Sequence, residues 1–306
     1  MFVDTEEEFD WTRARRRDET SVTAIRALPE VHSVLRGLGL TPAYLVDYPI
    51  ASTGYSVDIL RRFLDAGECT IGAQLHAWVN PPLIEPLEPA TSFAGNLPKS
   101  LEYAKLSALT LAIRTAFGLQ PTIYRAGRYG IGPNSEAVLD MLGYRIDTSV
   151  RPLFDYSDED GPNFIHEPAT PYWAGKERRL LEVPLTTTFI GQLRNMGKPL
   201  YRHGGRRMRS ALARTGLLSR VPLTPEGIPV AEALEALRAL LDTDTRLINI
   251  SFHSPSVEPG HTPYVRDAAD LKRFYGWFDS VFAFLAQRGV SPISANEILV
   301  AADATR

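Results

Sequence analysis

The chain opens with Met1-Phe2-Val3-Asp4-Thr5-Glu6, in which a short apolar run suited to a β-strand stops at a carboxylate. A polar residue ends each of six further apolar runs: Asp47, His76, Arg125, Asp147, Glu182 and His253. In a sheet of parallel strands joined by helices, the carboxyl ends of the strands lie on one face. The pattern therefore predicts an enzyme with one polar site, built from residues that are distant in sequence.

Helical patterns separate these runs. Apolar residues recur at helical spacing between Val22 and Leu38, and further helices are predicted over residues 98–117, Val230–Leu241 and Ala268–Gln287. A last strand is predicted near residues 290–293. Repeated alternation of strand and helix predicts an α/β fold whose parallel sheet is closed, or nearly closed, into a barrel. Since no linker is visible, we expect a single domain over residues 1–306.

Composition narrows the class of protein. With 306 residues, 44% of them hydrophobic, the chain can bury a full core. A net charge of -3 gives no general attraction to nucleic acid or lipid. The single cysteine, Cys69, excludes an internal disulfide framework and a paired-cysteine zinc site. The acidic N-terminus and the lack of a long apolar run predict a cytoplasmic protein, although a start upstream of Met1 stays open.

One segment, residues 191–220, is strongly basic. It contains no acidic residue and eight cations: Arg194, Lys198, Arg202, Arg206, Arg207, Arg209, Arg214 and Arg220. A solvated helical face is the common outcome for such a run. Its position, as an insertion between the strand ending near Val183 and the helix starting near Val230, instead favours contact with an anionic glycan, a lipid-linked sugar or an anionic membrane surface.

The first strand end offers paired carboxylates. Asp4 and Glu6 lie on one face of an extended chain, and close carboxylates survive by sharing a cation or by one staying protonated. The next acids, Glu7, Glu8 and Asp10, are interpreted as a solvated turn that caps the following helix.

The third strand end offers candidate metal ligands. His76 is followed by Trp78 and by two prolines that fix the direction of the loop, and Gln74 lies on the same strand face as His76. Either Gln74 or Asn80 could supply a carbonyl oxygen to a metal, although amides bind transition metals more weakly than imidazole does.

Two later stretches complete the set of candidates. Around Arg125, glycines at 127 and 130 let the backbone turn tightly beside two guanidinium groups, as holding a carboxylate requires. In the stretch 251–264, His253 ends a strand, and a proline-rich loop carries His261 and Tyr264.

Taken in order, these motifs resemble the polysaccharide deacetylases of the NodB-homology type. Those are metal-dependent enzymes that remove acetyl groups from N-acetylated sugars. The resemblance spans nearly the whole chain, from Val3-Asp4-Thr5-Glu6 to Ser251-Phe252-His253-Ser254. It implies a distorted (β/α) barrel of about seven parallel strands and a divalent metal ion, zinc or similar. It also implies an N-acetylated glycan or a lipid-linked sugar as substrate, with neither an organic cofactor nor nucleic acid as a partner.

The resemblance also implies residue roles. Asp4 matches the general base and Arg125 its tether, while His253 matches the general acid, tuned by Asp147. Glu6 and His76 match metal ligands, and Asn80 stands where the family has a second histidine. Four further residues would bind substrate: Trp78, Tyr129, Tyr264 and His261. The backbone N–H near Tyr129 would help to stabilise the oxyanion.

Three alternatives stay open from the sequence. A glycan-binding, catalytically impaired member of the fold would keep the aromatic residues as sugar platforms without a metal. A glycosidase could use two carboxylates such as Asp4 and Glu182, which leaves Arg125 and His253 without a role. A hydrolase of cyclic amides on the same fold is close to the leading hypothesis.

Overall fold

The structure is a computed structural model that describes residues 1–175, 177–243 and 245–306, with Arg206 described by its backbone alone. The strands are β1 Phe2–Thr5, β2 Ala43–Val46, β3 Thr70–Leu75, β4 Ile123–Ala126, β5 Ile146–Asp147, β6 Tyr172–Ala174, β7 Leu180–Glu182, β8 Thr187–Ile190, β9 Ser219–Pro222 and β10 Ser251–His253. The helices are α1 Leu28–Gly37, α2 Tyr48–Ser52, α3 Gly54–Asp65, α4 Lys99–Phe117, α5 Ser135–Met141, α6 Gly197–His203, α7 Arg206–Arg214, α8 Val230–Leu241, α9 Ala268–Gln287 and α10 Ala295–Ala304.

The main sheet has the strand order β10-β1-β2-β3-β4-β5-β7-β6. Its first seven strands pair in parallel, and β6 runs antiparallel to β7 at the edge. The two ends of the parallel sheet meet outside the strands themselves, where Thr186, after β7, lies beside Asn249, before β10. Thr186 N–H donates to the Asn249 carbonyl (3.2 Å), and Asn249 N–H donates to Thr186 Oγ1 (2.8 Å). The predicted distorted barrel of about seven parallel strands is confirmed.

The alternation of side chains along each strand sorts the residues into two layers. One small core cluster contains Phe2, Leu45 and Ile123 and fills the barrel interior, whereas a large cluster containing Val3 and Tyr124 packs against the surrounding helices. Because side chains two residues apart share a face, Asp4 follows Phe2 into the interior and Arg125 follows Ile123. Residues paired in register on neighbouring strands also share a face. Asp4 is paired with His253, and Gln74 is paired with Arg125, so all four side chains lie on the interior face.

The same alternation sends Asp147 to the opposite layer. It pairs in register with Tyr124, which belongs to the helix-facing cluster, and with Glu182 of β7. Neither carboxyl therefore faces the barrel interior beside His253.

Two other parts of the chain differ from the sequence-based expectations. The strand predicted at residues 290–293 is wrong: these residues form an irregular link from α9 to α10, a helix that was not predicted. The basic segment forms an arm, residues 187–222, in which the antiparallel pair β8 and β9 carries α6 and α7. A small apolar cluster packs Phe189, Tyr201 and Leu218 of the arm against Leu153. Among the described residues, no helix has both the length and the apolar character needed to cross a bilayer.

Candidate active site

A cavity of about 380 Å³ opens at the carboxyl ends of the parallel strands. It is lined by eight of the candidate catalytic, metal-binding and substrate-binding residues: Asp4, Glu6, Gln74, His76, Trp78, Tyr129, His253 and Tyr264. Arg125 lies fully buried beneath it. Asp147, Asn80 and His261 do not line this cavity.

Asp4 is held by Arg125 at the floor of the cavity. The guanidinium of Arg125 forms an ion pair with Asp4 Oδ1, while its Nε donates to the Thr148 carbonyl at 2.9 Å. Arg125 Nη2 also donates to Thr148 Oγ1 at 3.2 Å. These bonds fix the planar guanidinium, so one carboxylate oxygen of Asp4 is occupied by a charge-assisted bond and the other, Oδ2, is left for the cavity.

His253 lies beside that free oxygen, with Nε2 3.5 Å from Asp4 Oδ2. Its Nδ1 is 2.7 Å from Glu226 Oε2, and its backbone N–H donates to Glu226 Oε1 at 3.1 Å. Burial opposes charge on the ring. The carboxylates of Glu226, Glu6 and Asp4 outweigh that effect and raise the pKa of His253 to about 10. The imidazole is therefore protonated at neutral pH.

The carboxylate that binds His253 is thus Glu226, not Asp147 as the sequence suggested. Asp147 accepts hydrogen bonds from the backbone and hydroxyl of Ser149, within the helix-facing layer. Burial raises the pKa of Asp147 to about 6 and that of its neighbour Glu182 well above the usual range. Glu226 escaped sequence analysis because it lies in the loop after β9, a strand of the antiparallel pair and not of the parallel sheet.

Glu6, Gln74 and His76 form a second group on the opposite side of Asp4. Gln74 Nε2 donates to Glu6 Oε2 at 3.0 Å, and His76 Nε2 lies 3.4 Å from the same oxygen. Glu6 Oε1 and Gln74 Oε1 are buried without a hydrogen-bond partner. Burial raises the pKa of Glu6 to about 8. Two orphaned acceptors beside an imidazole nitrogen are the surroundings that a cation would satisfy.

Behind His76 lies a third group that corrects the interpretation of Glu7 as a solvated residue. Glu7, Asp47 and His76 bring ligand atoms within 4.8 Å of one another, so they could hold a metal ion. Their atoms are already engaged: Glu7 accepts from His76 Nδ1 (2.6 Å) and Trp78 Nε1 (2.8 Å). Asp47 accepts from the backbone N–H groups of Glu7 (2.7 Å) and Ile50 (2.8 Å). These bonds orient His76 so that Nε2 faces the cavity.

Asn80 is turned away from the cavity and towards a buried lysine. Its Nδ2 donates to the carbonyls of Pro81 (2.7 Å) and Lys105 (2.8 Å). The ammonium of Lys105 in turn binds the carbonyls of Ala77, Asn80 and Pro82. The interactions of Asn80 therefore anchor the loop after β3, and Gln74, the other amide considered, is the one beside Glu6.

A tight turn after β4 brings Tyr129 to the cavity wall. Arg128 and Tyr129 both adopt left-handed conformations, with φ of 55° and 60°. Such conformations are costly for residues with a Cβ and concentrate at functional sites. Gly127 makes room for the turn, because a Cβ there would lie 2.4 Å from His76 Cδ2 and 2.7 Å from the Leu75 carbonyl.

The aromatic candidates divide into two kinds. Trp78 is almost fully buried and stacks on His76 with ring centroids 4.3 Å apart, so it supports the histidine. Tyr264 is 38% exposed at the rim, beside Trp11, whose ring also packs edge-on against His253. His261 lies in a neighbouring depression, 3.4 Å from Glu8 and 3.7 Å from Glu258.

Comparisons with protein-family models and with curated proteins gave no match. Three solved structures illustrate the likeness of fold. The putative polysaccharide deacetylase from Mycobacterium smegmatis is 17% identical, with a TM-score of 0.46 over 89% of this chain and 80% of that one. The family 4 carbohydrate esterase from Streptomyces lividans is 11% identical, with a TM-score of 0.44 over 95% and 89%. The PuuE allantoinase is 14% identical, with a TM-score of 0.49 over 95% and 90%. In its fold, the chain is similar to solved deacetylases and carbohydrate esterases.

Proposed function

We propose that this protein is a hydrolase that removes N-acetyl groups from an amino-sugar glycan or glycolipid. One observation carries the proposal: an arginine-paired carboxylate, Asp4, and a histidine held protonated by Glu226 lie 3.5 Å apart on the floor of one cavity. Amide hydrolysis needs both a base and an acid, and the protonated His253 suits the role of the acid.

The two side chains would divide the proton transfers. Asp4 Oδ2 accepts a proton from the attacking water, while Arg125 compensates the negative charge of Asp4. His253 Nε2–H donates a proton to the amide nitrogen as the C–N bond breaks. The negative charge of Glu226 stabilises the protonated ring, and its hydrogen bond with Nδ1 fixes the orientation of the ring.

A divalent metal, zinc or similar, fits the donor set of Glu6, His76 and Gln74, because two acceptor atoms of this group lack partners. Carboxylate and imidazole are common zinc ligands, and an amide carbonyl is a weaker third donor. When bound, such a metal lowers the pKa of a water ligand and polarises a carbonyl. Glu7 supports the proposal by holding Nδ1 of His76, which leaves Nε2 available.

The proposed partners follow from the surface of the arm. Arg194, Lys198, Arg202, Arg207 and Arg214 are exposed on it, and this cationic face suits an anionic or lipid-linked glycan and peripheral contact with an anionic membrane. A cytoplasmic location and a single catalytic domain over residues 1–306, with the arm as its insertion, complete the proposal.

The direct test measures acetate released from N-acetylated oligosaccharides by protein that is purified without an affinity tag and assayed for bound metal. A cyclic amide of the hydantoin type serves as a second substrate, because the same acid and base suit the related C–N bond of a cyclic amide. Acetate release that disappears in Asp4→Asn supports the proposal. Hydrolysis of the cyclic amide but not of the N-acetylated sugars would identify cyclic amides as the substrate class. Sugar binding without hydrolysis would favour a glycan-binding protein.

A further inference from the structure

Two arginines in the cavity wall stack on the same aromatic ring. Arg220 Cζ lies 3.5 Å from the centre of the Phe154 ring, and Arg151 Cζ lies 3.9 Å from it. All three residues line the cavity that contains Asp4 and His253. Arg151 Cζ is also 5.0 Å from the centre of the Tyr129 ring, which lies on the same wall. Stacking on one ring holds the two guanidinium groups in the same part of the wall despite their like charge.

Neither guanidinium has a carboxylate within 4.0 Å among the described residues. Arg151 Nη1 donates to the Tyr156 hydroxyl (2.9 Å), and Arg220 Nη1 donates to the Leu153 carbonyl (2.7 Å). Arg151 Nε is buried with no hydrogen-bond partner at all. By contrast, the two other arginines discussed at this site are paired, Arg125 with Asp4 and Arg128 with Glu159.

Half-buried cations with unused donors are costly unless an anion compensates them. Burial also lowers the pKa of Arg220 to about 10, which shows how far this guanidinium is withdrawn from solvent. The planar fork of a guanidinium matches the geometry of carboxylate and phosphate oxygens, and two forks side by side can share one such group.

We infer that Arg151 and Arg220 form an anion subsite for a phosphate or carboxylate group carried by the sugar substrate. The inference rests on the proposed function and names its substrate class: an acidic N-acetylated sugar or a sugar phosphate, rather than a neutral glycan. Tyr129 lies beside this subsite and also lines the cavity that contains Asp4, so one sugar-sized ligand can occupy both regions.

Binding without turnover tests the subsite. The Asp4→Asn protein is titrated calorimetrically with N-acetylglucosamine, N-acetylglucosamine 1-phosphate and N-acetylmuramic acid at one fixed ionic strength. We expect at least one acidic sugar to bind about 10-fold or more tightly than the neutral one. Comparing the sugar phosphate with the sugar carboxylate shows which anion the subsite prefers. Inorganic phosphate should compete with the preferred sugar.

Variants then assign the effect to the two arginines. Arg151→Gln and Arg220→Gln, each added to Asp4→Asn, should abolish the preference for the acidic sugar and leave the affinity for the neutral sugar unchanged. Arg220→Lys, which keeps the charge, should retain part of the preference. Arg62→Gln is the matched control, because Arg62 is exposed on α3 and does not line the cavity.

Three results would overturn the inference. They are equal affinity for neutral and acidic sugars, an equal loss for all three sugars in the Arg151→Gln and Arg220→Gln variants, and an equal loss in Arg62→Gln, which would indicate a general effect of the net charge. Phosphate competition in the Asp4→Asn protein itself covers the case in which a Gln variant misfolds. Failure of the proposed function looks different: no acetate is released from any sugar, while the arginine-dependent preference persists.

Discussion

His253 and His76 occupy matching positions on the two sides of Asp4, yet they differ in protonation. In each, a glutamate binds Nδ1, Glu226 in one case and Glu7 in the other, and Nε2 points to a carboxylate. The pKa of His253 is raised to about 10, whereas burial lowers the pKa of His76. The side chain of His253 is 17% exposed and that of His76 only 2%.

The difference lies in the balance between burial, which disfavours a charged ring, and the neighbouring carboxyl groups, which favour it. Around His76, burial lowers the pKa of the ring by more than the neighbouring carboxyl groups of Glu6, Asp47 and Asp4 raise it, and the charge of Arg15 lowers it further. Around His253, the negative charges outweigh the cost of burial. One arrangement thus yields a neutral imidazole that suits a cation, and the other yields an imidazolium that suits an acid.

The largest effect is expected when the acid–base pair is broken. Asp4→Asn and His253→Ala should each lower kcat for acetate release by about 100- to 10,000-fold, because each removes a proton-transfer group. Steady-state kinetics measure the loss, and circular dichroism checks that the fold persists. Activity close to that of the unmodified protein in either variant would remove the proposed role of that residue.

The second prediction separates Glu226 from Asp147. The acid form of His253 is lost as pH rises through its folded pKa of about 10, so activity should fall on that alkaline side. Glu226→Gln removes a charge that raises this pKa, and the alkaline limb of the pH–rate profile should move towards the usual histidine range, near pH 6.5. Asp147→Asn should leave the position of the limb unchanged. If only Asp147→Asn shifted the alkaline limb, Asp147 and not Glu226 would be the carboxylate that tunes His253.

The third prediction concerns the neutral histidine and its cation. Bound metal requires an ionised Glu6, whose pKa is about 8, so metal affinity should rise with pH up to that value, by about tenfold per unit at most. Gln74→His should tighten binding, because imidazole is the better ligand, while Asn80→His should not. Competition with a chromophoric chelator measures both. Tighter metal binding by Asn80→His would instead identify position 80 as a metal-ligand position.

A smaller effect is expected when His76 is displaced through its neighbour. In Gly127→Ala the new methyl group would meet His76 Cδ2 and the Leu75 carbonyl, so either the ring or the turn must shift. Overpacking of this kind costs about 1–3 kcal/mol of folding free energy. Denaturant unfolding measures that cost, and metal affinity should fall with it. Gly54→Ala is the control, since no atom lies within 4 Å of its added Cβ and its φ is not in the left-handed region.

The smallest effect is expected on the surface of the arm. Affinity for liposomes containing anionic lipid, or for an anionic glycan, should fall between low and physiological salt, because exposed charges are screened over about 8–10 Å. Arg202→Ser with Arg207→Ser should flatten that dependence, while Lys272→Ser, an exposed cation on α9, should not. Salt-independent binding by the unmodified protein would identify the arm as a solvated face.

Much of the site can be predicted from the sequence, because the end of a strand and the alternation of side chains along it depend on neighbouring residues alone. Asp4, Arg125 and His253 could be placed together from the apolar runs that precede them. Asp147 was assigned by order along the chain, and its position within β5 sends it to the helix-facing layer. Glu226 and Asn80 lie in loops, whose direction depends on contacts such as those of Lys105 that no local pattern records.

Thr186 links the closure of the barrel to the position of the arm. Its N–H donates to Asn249 across the gap between the two sides of the sheet, and its carbonyl accepts the N–H of Leu223, where the arm returns. A motion that lifts the arm through this return point pulls on the bond that closes the barrel. Access to the cavity, the placement of Arg220 and the resistance of the barrel to opening are therefore mechanically coupled through one residue.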